Sequence, residues 1–386
     1  MPSFNHPSQV YTASYHRNGD MSISKAEAQA DEQGNSAINV EQQALRTSYR
    51  HSLCVEILMN GYVESFMDLF NLSGDLDSND ITEEDKKHLY FLTEFLTLAE
   101  SGHNEGDSEK VYDSLLQLAE HFETRGDYKK AVSFHERCLK AARATGNSKG
   151  EALACRKLGL SYETLHDVDT SLTWLEKFQK MAKLVRSTEL ETDAKVNLCR
   201  VYSLKAQGCV SQSDFTTAIN YYKKACDMAK GAADQNEEGQ ANYNLGRCYE
   251  SMSDVERAIS HYKDFRNLSK AVNNSKGVCL ACSSLANIYQ LQGDTETATT
   301  YLEEYLQLAN STGSRKDQVE ASAELGGIYN RSGDYELAVK YFSEHYELCR
   351  ELGDKSLMDH ARVQLGIAKG NLQMKSFVRN VSTVSE

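Results

Sequence analysis

The sequence predicts an all-α superhelical solenoid assembled from helix-hairpin repeats of about 40 residues. Three observations carry that expectation. The stretch from Gly239 to Lys276 superposes on the one beginning at Val278 with an offset of 40, and a third copy runs from Val319 to Asp354. Leu245-Gly246 then falls on Leu285-Ala286 and Leu325-Gly326, Tyr249 on Tyr289 and Tyr329, and Ala258 on Ala298 and Ala338. An aspartate punctuates the middle of every copy, at Asp127, Asp167, Asp214, Asp254, Asp294 and Asp334. Proline is nearly absent: there are two, both before residue 10, which suits long unbroken helices.

Each recurring residue has a physical task. Gly246, Gly326 and Ala286 let the first helix of a hairpin approach its neighbour closely, and the tyrosines fill the wedge beside them. Gly126, Gly293 and Gly333 suit the left-handed end of that helix. The aspartate that follows caps the second helix by accepting from free backbone amides, worth about 1 kcal/mol each. Ala131, Ala218, Ala258, Ala298 and Ala338 keep the second helix thin at the crossing. One such pair cannot bury its apolar face alone, so the copies stack. The pattern resembles a tetratricopeptide repeat, stretched beyond that family's common length of about 34 residues.

In chain order, residues 1–38 are polar and read as a disordered tail. Residues 39–110 read as capping helices without the repeat signature: Leu45, Tyr49, Leu53, Ile57 and Leu58 recur at helical spacing, Gly61 interrupts, and Tyr62, Phe66, Leu69 and Phe70 resume. A polar loop is expected from Ser73 to Asp80, and Thr82 caps a helix carrying Leu89, Leu92, Phe95 and Leu96. Six repeats are expected over residues 111–358. The third is offset by 47 rather than 40, its seven extra residues falling between Val185 and Leu198. A closing helix is expected at 359–377 and a short frayed tail at 378–386.

The net charge of −14 and pI near 5.3 argue against nucleic acid or an anionic membrane as the main partner. Ten scattered cysteines, with no evident signal peptide, suit reduced thiols. The pair Cys279 and Cys282 has zinc-ligand spacing but lacks a second pair, so core packing is expected. The other cysteines are read the same way, and His135 and His261, on second helices, are read as packing or surface residues and not ligands. Ser22 to Lys25 and the sequon at Asn71 carry no chemistry in their settings. No catalytic residues, no cofactor and no metal are expected, and the chain is read as no enzyme.

The informative surface is the concave one lined by first helices. Its exposed positions read Arg156 and Leu160, Arg200 and Ser203, Tyr243, Arg247 and Glu250, Ser283, Asn287 and Gln290, then Asn330 and Arg331. Arginine forks onto carboxylates and asparagine bonds peptide groups, so this face is expected to hold an extended or helical acidic segment of a protein partner, the alternative being a solvated face with no ligand. Unequal ends argue for a monomer within a larger assembly.

Two stretches outside the repeats are more specific. Arg46 to Leu72, RTSYRHSLCVEILMNGYVESFMDLFNL, and Leu357 to Met374, LMDHARVQLGIAKGNLQM, resemble the flanking helices of an axonemal tetratricopeptide repeat family. That resemblance implies a protein-interaction scaffold of the ciliary or flagellar axoneme, in the cytoplasm and cytoskeleton, supporting assembly and motility of the cilium or sperm flagellum. Its partners would be axonemal or ciliary-transport proteins. The family has no catalytic residues to carry over. The alternative is a cytosolic cell-polarity or signalling adaptor using the same groove. A carboxylate-capturing cochaperone would need a dense lysine clamp, which the sequence lacks.

Overall fold

The computed structural model describes residues 49–74 and 81–384. The tail expected over 1–38, the helical residues expected from Asn39 to 48 and most of the Ser73–Asp80 loop lie outside the described residues. Sixteen helices and no strands are present among the described residues. Packing divides the chain into two units, Met1–Leu118 and Ala119–Glu386.

The first unit contains α1 (Tyr49–Met59), α2 (Val63–Leu72), α3 (Glu83–Glu105) and the start of α4 (Ser108–Thr124). Gly61, at φ +86°, turns the chain between α1 and α2. Leu53, Ile57, Leu69, Leu89, Leu92 and Leu96 form its buried apolar set. Leu58 and Phe70, expected on the apolar face, are about half exposed. The buried Arg50 donates from Nε to Ser73 Oγ and from Nη2 to the Phe70 carbonyl, and lies over the Phe70 ring. Thr82 and Asp85 close a reciprocal capping box at the start of α3, as its Thr-x-x-Asp spacing allows.

The second unit holds the remainder of α4 with α5 (Tyr128–Ala144), then the hairpins α6 (Ser148–Thr164) and α7 (Val168–Val185), α8 (Thr188–Ser211) and α9 (Phe215–Ala232), α10 (Gln235–Ser251) and α11 (Val255–Ala271), α12 (Ser275–Gln292) and α13 (Thr295–Thr312), and α14 (Arg315–Ser332) and α15 (Tyr335–Leu352), with α16 (Lys355–Val384) last. From α6 onward each helix packs chiefly on the ones before and after it. All six aspartates accept from the backbone amide three residues on, starting with Lys130. The same aspartates donate their own amides to the carbonyl five residues back, which belongs to Phe122, Tyr162, Cys209, Tyr249, Tyr289 and Tyr329. One residue thus ends the first helix and starts the second.

The residue before each aspartate is left-handed. Glycine fills that place at 126, 293 and 333, but His166, Ser213 and Ser253 adopt φ of 61°, 62° and 61°. A Cβ in that conformation costs about 1 kcal/mol. Ser253→Gly is therefore expected to stabilise α10 and α11 by up to about 1 kcal/mol, measured as slower amide exchange in those helices.

The small columns are equally regular. Ala131, Ala218, Ala258, Ala298 and Ala338 are fully buried. In the second repeat the place is taken by Ser171, whose hydroxyl donates to the Gly159 carbonyl at 2.8 Å and so satisfies itself in the crossing. A Cβ built on Gly159, Gly246 or Gly326 would stand 2.6–2.7 Å from Leu175, Tyr262 or Phe342. The seven residues inserted in the third repeat continue the helix: α8 has 24 residues where its counterparts from α6 to α14 have 17 or 18. The closing helix differs from expectation. It begins before residue 359 and runs past 377 to Val384, because neither glycine in it, Gly366 or Gly370, is left-handed and no proline stops it.

Candidate protein-interaction face

The residues singled out from the sequence all lie on first helices of the second unit. The structure brings them onto one face, but it also joins many of them to one another. Arg156 of α6 pairs with Asp193 of α8, and Arg200 of α8 forks onto Glu163 of α6 with both bonds at 2.7 Å. Arg331 of α14 donates to Gln290 of α12 at 2.7 Å, and Asn330 of α14 accepts from Asn371 of α16 at 3.0 Å. These are bonds between successive first helices. The row expected to be positive is therefore neutralised at Arg156 and Arg200, and it acts there as a seam.

Other members are held within their own hairpin. Tyr243 sits 5.7 Å from the Tyr262 ring and 5.1 Å from Phe265, measured between centroids. Glu250 accepts from the buried Tyr262 hydroxyl at 2.6 Å. Burial and that carboxylate push the Tyr262 phenol far above its ordinary range. Arg247 and Asn287 are the exposed, uncommitted members: the side chain of neither has a hydrogen-bond or ion-pair partner among the described residues. Asn287 shares a pocket with Gln290, Glu324, Arg331 and Gln364.

Glu324 and Gln364 were not among the residues singled out. The available signal was the column itself. Asn244, Ser284, Glu324 and Gln364 each precede the leucine of a first helix at 40-residue steps, and only one of the four is charged.

At the start of the unit, Glu123 of α4 gathers Nε2 of the fully buried His135 at 2.9 Å and the Lys157 ammonium at 2.9 Å. Burial alone would raise this carboxyl. The hydrogen bonds from His135 and Lys157 outweigh it and hold the group at about 2. His261 stacks on Tyr249 and bonds to Asn242. Both histidines are packing residues, as expected. None of the ten cysteines is in a disulfide, and nine are buried. Burial pushes the Cys279 and Cys282 thiols up to about 11 and about 12, which suits packing and not ligation. No group of three or more metal-ligating side chains that could hold an ion is present among the described residues. No helix among them is long and apolar enough to cross a membrane.

Helix hairpins with a shared Asp cap, a small-residue crossing and packing chiefly between consecutive helices define this chain as an all-α tetratricopeptide-repeat solenoid, a protein-interaction fold. Family models described as tetratricopeptide repeat match residues 114–149, 240–268 and 279–351. The particular likeness is to tetratricopeptide repeat protein 29. The protein of that name from Macaca fascicularis is 30% identical over 227 residues, covering 53% of this chain and 48% of that one. The Homo sapiens protein gives the same figures. The Trypanosoma brucei brucei protein is 26% identical over 226 residues, covering 56% and 46%. The match thus spans about half the length of these relatives.

Proposed function

We propose that this chain is a non-enzymatic scaffold of the ciliary or flagellar axoneme, supporting assembly and motility by holding a protein segment against its first helices. The observation that carries this reading is the likeness to tetratricopeptide repeat protein 29 from mammals and from a trypanosome over about half of this chain. The local chemistry supports a binding role for the face. Arg247 and Asn287 stand exposed between seams whose polar groups are already bonded, so they have free donors for a partner.

The test uses the full chain, tagged, in ciliated cells. Arg156 and Arg200 are left alone, because reversing them would break bonds between repeats. Arg247→Glu combined with Asn287→Ala is expected to weaken capture of axonemal proteins about tenfold, the loss of one charge-assisted contact. Helicity should not change, since surface substitutions usually shift stability by less than about 0.5 kcal/mol. An unchanged set of captured proteins would remove the binding role from this face. Recovery of only cortical or membrane-signalling proteins would overturn the axonemal assignment in favour of the adaptor.

A further inference from the structure

Among Asn244, Ser284, Glu324 and Gln364, Glu324 is the charged member, and it lines a pocket. The cavity has a volume of about 270 Å³ and lies between Asn287 and Gln290 of α12, Glu324 and Arg331 of α14, and Gln364 of α16. Arg331 does not neutralise the carboxylate: its guanidinium is turned to Gln290, and it forms no ion pair with Glu324 among the described residues. Burial first, and the Glu320 carboxylate second, push the Glu324 acid up to about 7. On the facing wall, the side-chain oxygen of Gln364 is buried with no hydrogen-bond partner among the described residues. Such an orphan is unfavourable until something donates to it. Glu324, able to ionise, and Gln364, with an unpartnered side-chain oxygen, therefore line one cavity.

We propose that this pocket seats a cationic side chain of the bound protein segment, a lysine ammonium or an arginine guanidinium, on the Glu324 carboxylate and the Gln364 oxygen. The proposal deepens the scaffold reading and rests on it. An acidic side chain would meet the Glu324 carboxylate, with the nearby Glu320 charge adding to the repulsion, while the Arg331 guanidinium on the wall is already engaged by Gln290. An apolar one would strip water from both acceptors without repaying them. A cation satisfies both. It also reverses the polarity expected from the arginine-rich sequence of this face: the C-terminal end selects a basic residue.

The charged groups facing Glu324 are Glu320 and Arg331, both on its own helix, while α12 and α16 contribute amides to the pocket. Binding that requires the carboxylate is therefore expected to weaken about tenfold from pH 8 to pH 6, as the group protonates through a midpoint near 7.

The test is carbon-detected NMR on the full chain labelled at glutamate Cδ, with the Gln364 side-chain amide as a second reporter. The probes are N-acetyl-lysine methylamide, N-acetyl-glutamine methylamide and N-acetyl-glutamate methylamide. Only the lysine probe should shift both reporters saturably and lower the Glu324 titration midpoint. Glu324→Gln should abolish the shift at Gln364. It should also fold normally, since glutamine already stands at 364 in the same column, and thermal unfolding checks this. Gln364→Leu should weaken the lysine probe about tenfold, the loss of one hydrogen bond to a charged group.

Equal responses to the three probes, or a lysine response that survives Glu324→Gln, would overturn the proposal. So would no lysine response at all, whatever the capture from ciliated cells gives. A native chain that captures no axonemal proteins, with the lysine response intact, would instead overturn the scaffold reading alone, because the probes carry no partner sequence.

Discussion

Gly326→Leu is expected to destabilise the sixth hairpin by about 3–5 kcal/mol, the scale of a failed core packing. A Cβ alone would lie 2.7 Å from Cδ1 of Phe342, whose ring is 3% exposed and has nowhere to retreat. Leucine adds three more carbons to the same place. Phe342 would have to leave the core, separating α14 from α15 and exposing the cluster it forms with Ala338 and Ala368. The adjacent glycine is the control. A Cβ on Gly327 meets only the end of its own helix's Arg331 side chain at 3.5 Å, so Gly327→Ala should gain about 0.5–1 kcal/mol of helix propensity. Two neighbouring glycines thus change stability in opposite directions. Amide exchange across α14 to α16 measures both, and equal signs would refute the packing argument. A solenoid opens locally, so the Gly326 effect should fade toward α6.

The second large effect concerns Glu123. Its carboxylate is the shared acceptor for His135 and Lys157, and its side chain is 22% exposed. Glu123→Ala leaves a fully buried imidazole nitrogen and an ammonium without that acceptor, at an expected cost of about 3 kcal/mol. Glu123→Gln keeps an oxygen for one donor and should cost about half as much. The pH dependence has a definite sign. The folded carboxyl lies at about 2, depressed from 4.5, so its stabilisation is fully present above about 4.5 and is lost as pH falls toward 2. Allowing for partial solvent screening, about 2 kcal/mol should disappear across that window. Comparing exchange protection of α5 and α6 in the native chain and in Glu123→Gln, at pH 6 and pH 3.5, isolates the contribution. An identical pH response in the two proteins would show that Glu123 contributes nothing to acid sensitivity.

What the sequence made legible follows from periodicity. A residue that must be small, aromatic or capping once per hairpin recurs every 40 residues, so Gly246, Tyr289 and Asp334 could each be assigned a task without coordinates. The second repeat was harder, because Ser171 and His166 stand in for alanine and glycine and solve the same problems differently. Polar residues on the first helices were legible as a face but not as bonds. Whether Arg200 reaches outward or folds back onto Glu163 depends on rotamers and on a neighbour 37 residues away. The length of α16 was illegible for a related reason. Glycine signals a helix end only when the chain adopts positive φ there, and Gly366 and Gly370 do not.

The 24-residue α8 gives the array one odd interval. From the third repeat onward the hairpins follow a single spacing, and α8 interrupts that spacing with an extra seven residues, a rise of about 10 Å along its axis. A ligand that engages equivalent side chains on successive hairpins can slip by one repeat along the later copies and find similar partners. At α8 it meets about two extra helical turns that the counterparts from α6 to α14 do not carry. The insertion is therefore the one landmark on an otherwise uniform row of first helices from α6 to α14.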